Sequence, residues 1–567
     1  MPKLTELTVE ALEMEEGFVK GFFQAKDFLS SLQKVSFTIS NFTPSLEANT
    51  VLVDAIERRW GSTMRSCYIS APSVDWQIAD DDAVRIKKMR GEGLDLMIIY
   101  GKSDAPKYLH SSPCGNGGTP SYPISILFVP SFPILRIFPP TSSGNLQVLP
   151  EDIPDKTWVC FRQYASRIRC IAFDPTSCAR FSSTVFLRLA EYQTPIFPKL
   201  QYLKSDASFA ASPSILLFLP AKPLNKIQLT FRGSTDITTS STCMRAIKWR
   251  VPALQTLHIY CPEFDNGQYQ AILFTNLCSI TNFVGLRDLR SLTIKSHLVD
   301  YDFLIALSTF DNLEHLHVKT TSNIPSGSRQ VQDGFPSLKS LHITAKVSEM
   351  SRILRLFHQG TLETLTFVDT SSEAFCTSSE FMMDFYRELV VRFPLRNLSI
   401  TYQSAQFDRT LWASSRVVFE PLYELHLLRS IHFVGELVLD DETIKTHLAP
   451  SWPDIESISM PQLPGDPPSY AMLPSLAKCC PRLVLLAMPI GFPDIPVVEE
   501  VLSHQLQILK SMNTIAKKPA LIARFLDRIF PSLVWVEGGS GWKEVDSILR
   551  DVCQPIRWDQ HQRERGK

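Results

Sequence analysis

No two cysteines of this 567-residue sequence stand in a CxxC spacing, and of the twelve only Cys479 and Cys480 are close together. Scattered thiols of this kind exclude a thiolate zinc cluster or a dithiol redox motif. They fit a reducing compartment, where cysteine serves as a small buried hydrophobe. Charge of one sign is also lacking: 57 Lys+Arg against 58 Asp+Glu leave a formal net charge of -1. That balance offers neither a basic field for nucleic acid nor an acidic tail. No apolar run reaches the roughly 18 residues of a membrane helix, and the opening MPKLTELTVE has no signal-peptide core. The expectation is an intracellular chain, cytoplasmic or nuclear, with no nucleic-acid or membrane partner.

Catalytic signatures are missing too. Gly101-Lys102-Ser103 has Leu96 where a phosphate-binding loop needs glycine, and CGNGG at 114–118 follows no strand that opens a helix. Gly538-Gly539-Ser540-Gly541 ends in Trp542 where a serine elbow requires glycine. The acidic trio Asp80-Asp81-Asp82, followed by Arg85, Lys87, Lys88 and Arg90, fits the dipole of one helix better than a metal site. No enzyme, cofactor or metal is expected.

What the sequence does have is a repeated phrase: apolar, two others, apolar, one other, apolar. It is clearest at Leu289/Leu292/Ile294, Leu313/Leu316/Val318 and Leu338/Leu341/Ile343. From 146 onward the phrase also starts at Ile168, Leu200, Leu224, Leu254, Leu362, Leu395, Leu422, Ile455, Leu483, Leu506 and Leu533. Its spacing, averaging about 28 residues, lies in the range of leucine-rich repeats, so the fold expected is an irregular α/β solenoid, a curved parallel sheet with helices on its outer face. Proline precedes several strands, in FPKL (197–200), FPSL (335–338), CPRL (480–483) and FPSL (530–533). Helices are expected at 300–309, 348–360, 379–394 and 520–530, and a capping helix at 542–553. The asparagine that usually closes each phrase is replaced by Pro262, His297, Thr321, Lys346 and Thr370.

Three regions follow. Residues 1–102 form a short repeat-like α/β segment with phrases at Leu4/Leu7/Val9 and Leu32/Val35/Phe37, a helix at GFVKGFFQAKDFL and further strands at 64–70 and 94–100. Because Met1 opens within a phrase and no polar cap precedes it, the start reads as truncated or borrowed from another array. Residues 103–145, rich in Pro, Gly and Ser, read as a linker in which ILFV and ILRIF pair as edge strands. Residues 146–567 are the solenoid.

Two stretches carry a closer resemblance. LPEDIPDKTWVCFRQYASRIRCIAF (149–173) contains Asp155, Trp158, Phe161, Tyr164, Ala165, Arg167 and Arg169, and HQLQILKSMNTIAKKPALIARFLDRIFPSLVW spans 504–535. They resemble the opening and closing repeats of the F-box/leucine-rich-repeat families of mushroom-forming fungi. Segment 1–102, with AIERRW and its GLDL strand, resembles the far end of another member. In that family an F-box module binds the adaptor of a cullin-type ubiquitin ligase while the repeats capture a protein substrate. The resemblance therefore implies a substrate receptor. No F-box is legible, since Leu149-Pro150-Glu151 is followed directly by Pro154 and the repeats.

Within each phrase, positions 1, 4 and 6 belong under the strand, and positions 2, 3 and 5 face the concave surface. The candidate partner-binding residues are Gln255, His258, Arg290, Thr293, Glu314, His315, His317, Lys339, His342, Glu363, Arg396 and His426. Strands about 4.8 Å apart would bring His315, His317 and His342 together, as a pH-sensitive patch, a metal site, or simply polar strand positions. The function expected is protein recognition by the concave face, with a scaffold or regulatory binder outside ubiquitin transfer as the alternative, or a fused gene product without a selected role.

Overall fold

The computed structural model describes residues 6–13, 34–41, 66–71, 81, 85, 88, 95–100, 124–125, 141–143, 146–148, 153–172, 195, 197–206, 224–231, 237–260, 283, 285–320, 333–370, 379–402, 415–435, 439–462, 467–491, 495–496, 501–511 and 514–557. The chain divides into two units, Met1–Tyr122 and Pro123–Lys567.

The first unit holds four parallel strands in chain order: β1 (Glu6–Glu13), β2 (Lys34–Asn41), β3 (Ser66–Ala71) and β4 (Asp95–Tyr100). The phrase residues share one register, Leu7 beside Val35, Val35 beside Cys67 and Cys67 beside Leu96. Asp81, Arg85 and Lys88 are helical, as acid-first, base-last ordering expects. The helix expected at GFVKGFFQAKDFL lies outside the described residues.

The second unit is built on a single 15-stranded sheet, parallel throughout and in chain order. It begins with β5 (Ile124–Ser125), inside the stretch read as linker. An antiparallel hairpin of β6 (Thr141–Ser143) and β7 (Leu146–Val148) stands apart from it. The sheet continues through β8 (Ile168–Ala172), β9 (Tyr202–Asp206), β10 (Lys226–Thr230), β11 (Thr256–Tyr260), β12 (Ser291–Val299), β13 (His315–Thr320) and β14 (Ser340–Ala345). It ends with β15 (Thr364–Asp369), β16 (Asn397–Tyr402), β17 (Ser430–Val434), β18 (Ser457–Gln462), β19 (Leu485–Ala487), β20 (Ile508–Ser511) and β21 (Trp535–Gly538). This is a leucine-rich-repeat solenoid.

A turn before each strand sets the register. Leu200 donates its N–H to the Phe197 carbonyl at 3.2 Å, and Leu338 to Phe335, Leu483 to Cys480 and Leu533 to Phe530 do the same at 3.2, 3.0 and 3.0 Å. Pro198, Pro336, Pro481 and Pro531 occupy the second turn position, where a fixed φ suits the turn and no N–H is needed. The position-2 residue then begins the ladder. Glu314 N–H reaches Arg290 O at 2.8 Å, Lys339 N–H reaches Glu314 O at 2.9 Å, and Glu363 N–H reaches Lys339 O at 2.9 Å. The first and fourth phrase residues are buried at every repeat from Leu200 to Leu533. Position 6 is buried too as far as β20, though in β9 and β20 it is a serine, Ser205 and Ser511, and in β21 it is the half-buried Gly538.

One repeat differs from expectation. The phrase assigned to Leu422 starts at Leu428 instead, and the strand is Ser430–Val434. Leu425 here plays the part of Phe197 or Cys480, accepting the Leu428 N–H at 3.1 Å, so His426 falls in the turn where proline stands elsewhere. LxxLxL fits both registers, and the 56% exposure of Leu427 shows that the earlier one is not the strand. Upstream, Pro421 fits the tight turn Glu420–Glu424, which is a 3-10 helix.

Helices return the chain between strands: α1 (Asp155–Ala165), α2 (Ile237–Arg250), α3 (Tyr301–Leu307), α4 (Val347–Leu354), α5 (Ser379–Arg392), α6 (Ser415–Phe419), α7 (Leu473–Cys479) and α8 (Pro519–Ile529), while α9 (Trp542–Ile548) follows β21. Asp300 caps α3, accepting the Phe303 N–H at 2.7 Å. The cap of α4 comes from another repeat. Its N-cap Lys346 has no side-chain cap, and the buried Asp369 carboxylate of β15 accepts the Val347 N–H at 3.1 Å. Beneath β16 the buried hydroxyls of Tyr386 and Tyr402 lie 2.8 Å apart. Among the described residues no helix is long and apolar enough to cross a membrane.

Candidate functional site

Alternation along each strand sends position 4 and 6 side chains into the core and positions 3 and 5 to the other face. The burial pattern shows it directly, alternating along β13 and β14 with Leu316, Val318, Leu341 and Ile343 buried. Position 5 forms one continuous row in register: Lys204, Gln228, His258, Thr293, His317, His342, Thr366, Ser399, His432 and Ser459. His258, Thr293, His317 and His342 are half-buried by their neighbours along the row.

Directly opposite each other in register, His317 and His342 stack with ring centroids 3.7 Å apart and planes 22° off parallel. Burial, the adjoining His342 ring, Lys295 and His258 push the His317 imidazole down to about 4. His342 is lowered by burial and Lys295, and His258 by burial, Lys226 and Lys295. All three are neutral at pH 7, which permits close stacking of two rings that would repel as imidazolium ions.

Position 2 runs beside this row at the strand entrances. Gln255, Arg290, Lys339 and Arg396 are exposed, and Glu314 and Glu363 half-buried. Glu314 bridges two repeats, 3.1 Å from Arg290 and 3.3 Å from Lys339. The Lys339 hydrogen bond holds its carboxyl below the usual range. His315, at position 3, is exposed. Of the twelve residues singled out from the sequence, eleven therefore lie on or along this face. His426 does not: its Nδ1 lies 3.0 Å from the Ser451 carbonyl in the turn before β17. Its place in the row belongs to His432, whose Nδ1 is 2.9 Å from Ser459 Oγ and whose imidazole burial pushes down.

No family model matches this chain, and no curated protein matches it. Solved structures do. It is similar to the complex of Rad7 and Elc1 in yeast at 16% identity over 66% of this chain and 77% of the other, with a TM-score of 0.34. It is similar to the mouse RP105/MD-1 complex at 12% identity over 91% and 80%, TM-score 0.35. The leucine-rich-repeat ectodomain of the Arabidopsis receptor kinase HAESA, solved with an IDA peptide hormone, matches at 10% over 90% and 67%, TM-score 0.27. The assignment of the fold rests on the strand register and the buried phrase, independent of these likenesses.

Several residues of the face escaped the sequence reading. Lys295 follows position 6 of its phrase and lies among the histidines; continuing the outward numbering to position 7 finds it. Lys226, at position 3 of its phrase and the first residue of β10, places its ammonium 5.2 Å from the Tyr202 ring centre. At the far end Leu485, Ile508 and Trp535 share one outward register and replace the polar residues found there in earlier strands. Among the described residues no three His, Cys, Asp or Glu side chains converge as a metal cluster.

Proposed function

We propose that the open face of the sheet recognises a protein partner without catalysing a reaction, and that the chain acts inside the cell as a substrate-receptor-like component of a cullin-type ubiquitin ligase. The observation that carries the recognition half is the unbroken outward row from Lys204 to Ser459, held in one register by ten parallel strands. A rigid sheet fixes these side chains before a partner arrives, so little ordering entropy opposes binding. The ligase half rests on the sequence resemblance at 149–173 and 504–535.

Affinity capture with the full tagged chain, read by mass spectrometry, tests both halves. The expected result is a protein set that includes the cullin-ligase adaptor, with substrates lost when Thr293, Thr366 and Ser399 are changed together to Lys. Capture of partners without the adaptor would assign the chain to scaffold or regulatory binding. A partner set unchanged by the triple substitution would remove the recognition role of this face.

A further inference from the structure

The open face is not uniform in charge. Arg290 and Lys339 are matched by Glu314, Arg429 by Glu456 at 3.6 Å, and Lys510 by Glu537 at 2.9 Å. Three exposed cations of this face break the rule: Arg396, which stands two strands beyond β14 at the entrance of β16, and two lysines. Lys226 on β10 and Lys295 on β12 make no ion pair with any described carboxylate. They flank a short band in which His258, Thr293, His317 and His342 stand side by side. The sheet separates Lys295 from a third cation. After Thr293 the β12 register slips, so that Leu298 rather than Lys295 stands opposite Lys319. Like charges directly opposite would repel.

We infer that this band, from β10 to β14, docks an acidic peptide segment of a protein partner, laid across the strands, with Lys226 and Lys295 meeting its carboxylates over the floor of histidines. The inference rests on the reading of the open face as a recognition surface and names the chemistry of what it recognises. Four strand spacings of about 4.8 Å make a band of about 19 Å, the reach of roughly six extended residues. Thr293 supplies a hydroxyl on the same floor, at the same row position as the histidines, and Thr366 continues that row one strand beyond the band.

The surrounding charges favour an acidic guest. From β9 come Lys204 and, at its end, Asp206; from β11, Tyr260; from β13, His315 and Lys319. Among the acids of the neighbouring repeats, Glu314 is engaged by Arg290 and Lys339, and Glu363 lies one strand beyond the band. In the free protein the lysines add to burial in keeping His258, His317 and His342 neutral. A bound carboxylate offsets the lysine field and offers the imidazoles a counter-charge, so binding takes up protons and tightens as the pH falls. The band is too short, and too closely bordered by Glu314 and Glu363, to track a nucleic-acid backbone, which needs a longer cationic stripe.

Fluorescence-anisotropy titration of the full chain tests this with four labelled hexamers: one of Asp and Glu, its Asn and Gln analogue, one of Lys, and hexathymidylate. The acidic peptide should bind at least tenfold more tightly than its amide analogue, lose that advantage in K226Q/K295Q, and bind more tightly at pH 6 than at pH 7.5. The variant should melt where the parent does, because both lysines are exposed. Equal binding of acid and amide peptides, tighter hexathymidylate, or an acid preference that survives in the variant would overturn the inference. Carbodiimide cross-linking and hydroxyl-radical footprinting in the same samples separate it from the reading beneath it. An amide peptide that protects His317 and His342 keeps recognition by the face and removes acid specificity, whereas no protection by any hexamer removes both.

Discussion

The strands β10–β14 and β19–β21 share one backbone plan and present contrasting surfaces. In the first group the outward rows carry His258, Thr293, His317 and His342 with Lys226 and Lys295 nearby. In the second, the third phrase position turns apolar, Leu485 beside Ile508 and Ile508 beside Trp535, and the position-5 charges Lys510 and Glu537 pair with each other. Beneath both, the buried phrase is the same in kind: Leu316 and Leu341 in one region, Leu486 and Leu509 in the other. The inward positions carry the solenoid, and the outward ones are free to take on different chemistry. A comparison of the two regions thus separates what folds the chain from what the chain meets.

The comparison breaks if the two cores are not equivalent. Leu316→Ala, Leu341→Ala and Leu509→Ala each delete a buried side chain, and each should cost about 2–5 kcal/mol in denaturant unfolding. A loss below about 1 kcal/mol at one end only would show that its repeats do not share the core. A smaller loss is expected at Asp369, whose carboxylate ties β15 to the start of α4. Asp369→Ala leaves the Val347 N–H without that partner and should cost about 1–3 kcal/mol. Native-state hydrogen exchange should place the weakening at α4 and leave β19–β21 unchanged.

Titration sharpens the contrast between the two surfaces. His317 has a folded-state value near 4, below the ordinary 6.5, and His342 is shifted in the same direction. The unfolded chain therefore binds these protons first, and stability contributed by the neutral pair is present above pH 6.5 and lost as the pH falls toward 4. H317Q/H342Q should flatten that part of the stability profile relative to the parent. Buried His504 is also lowered and contributes to both profiles, so the difference between them is the quantity to measure. At the other end the smallest effects are expected. Trp535 is 51% exposed, and K510A or E537A breaks only a surface ion pair, worth about 0–1 kcal/mol. W535A should likewise leave thermal unfolding nearly unchanged.

Much of this was legible in the sequence because leucine-rich phrases are short-range signals. Leu289, Leu313 and Leu338 locate three strands and, through alternation, their outward residues. Where two phrases overlap the signal is ambiguous, and Leu422 and Leu428 can be told apart only by which leucine the turn leaves exposed. Helix α2 escaped notice because its Thr- and Ser-rich start, ITTSST, is a poor helix former; burial of Cys243, Met244 and Ile247 on one face holds it. The Asp369 cap and the Tyr386–Tyr402 contact join separate strands and helices, so no local pattern encodes them. The stacking of His317 on His342 follows from register and could be foreseen as proximity. Lys295 follows from continuing the outward numbering, whereas the slip in β12 that sets Leu298 rather than Lys295 opposite Lys319 has no local signal.

The most direct test of the account is hydroxyl-radical footprinting of the chain with and without a captured protein partner. Recognition by the open face predicts protection at His258, His317, His342 and His432, with the exposed Phe381 and Leu521 of helices α5 and α8 labelled as before. Protection of Phe381 and Leu521, with the four histidines labelled equally in both states, would place the working surface on the helices and contradict it.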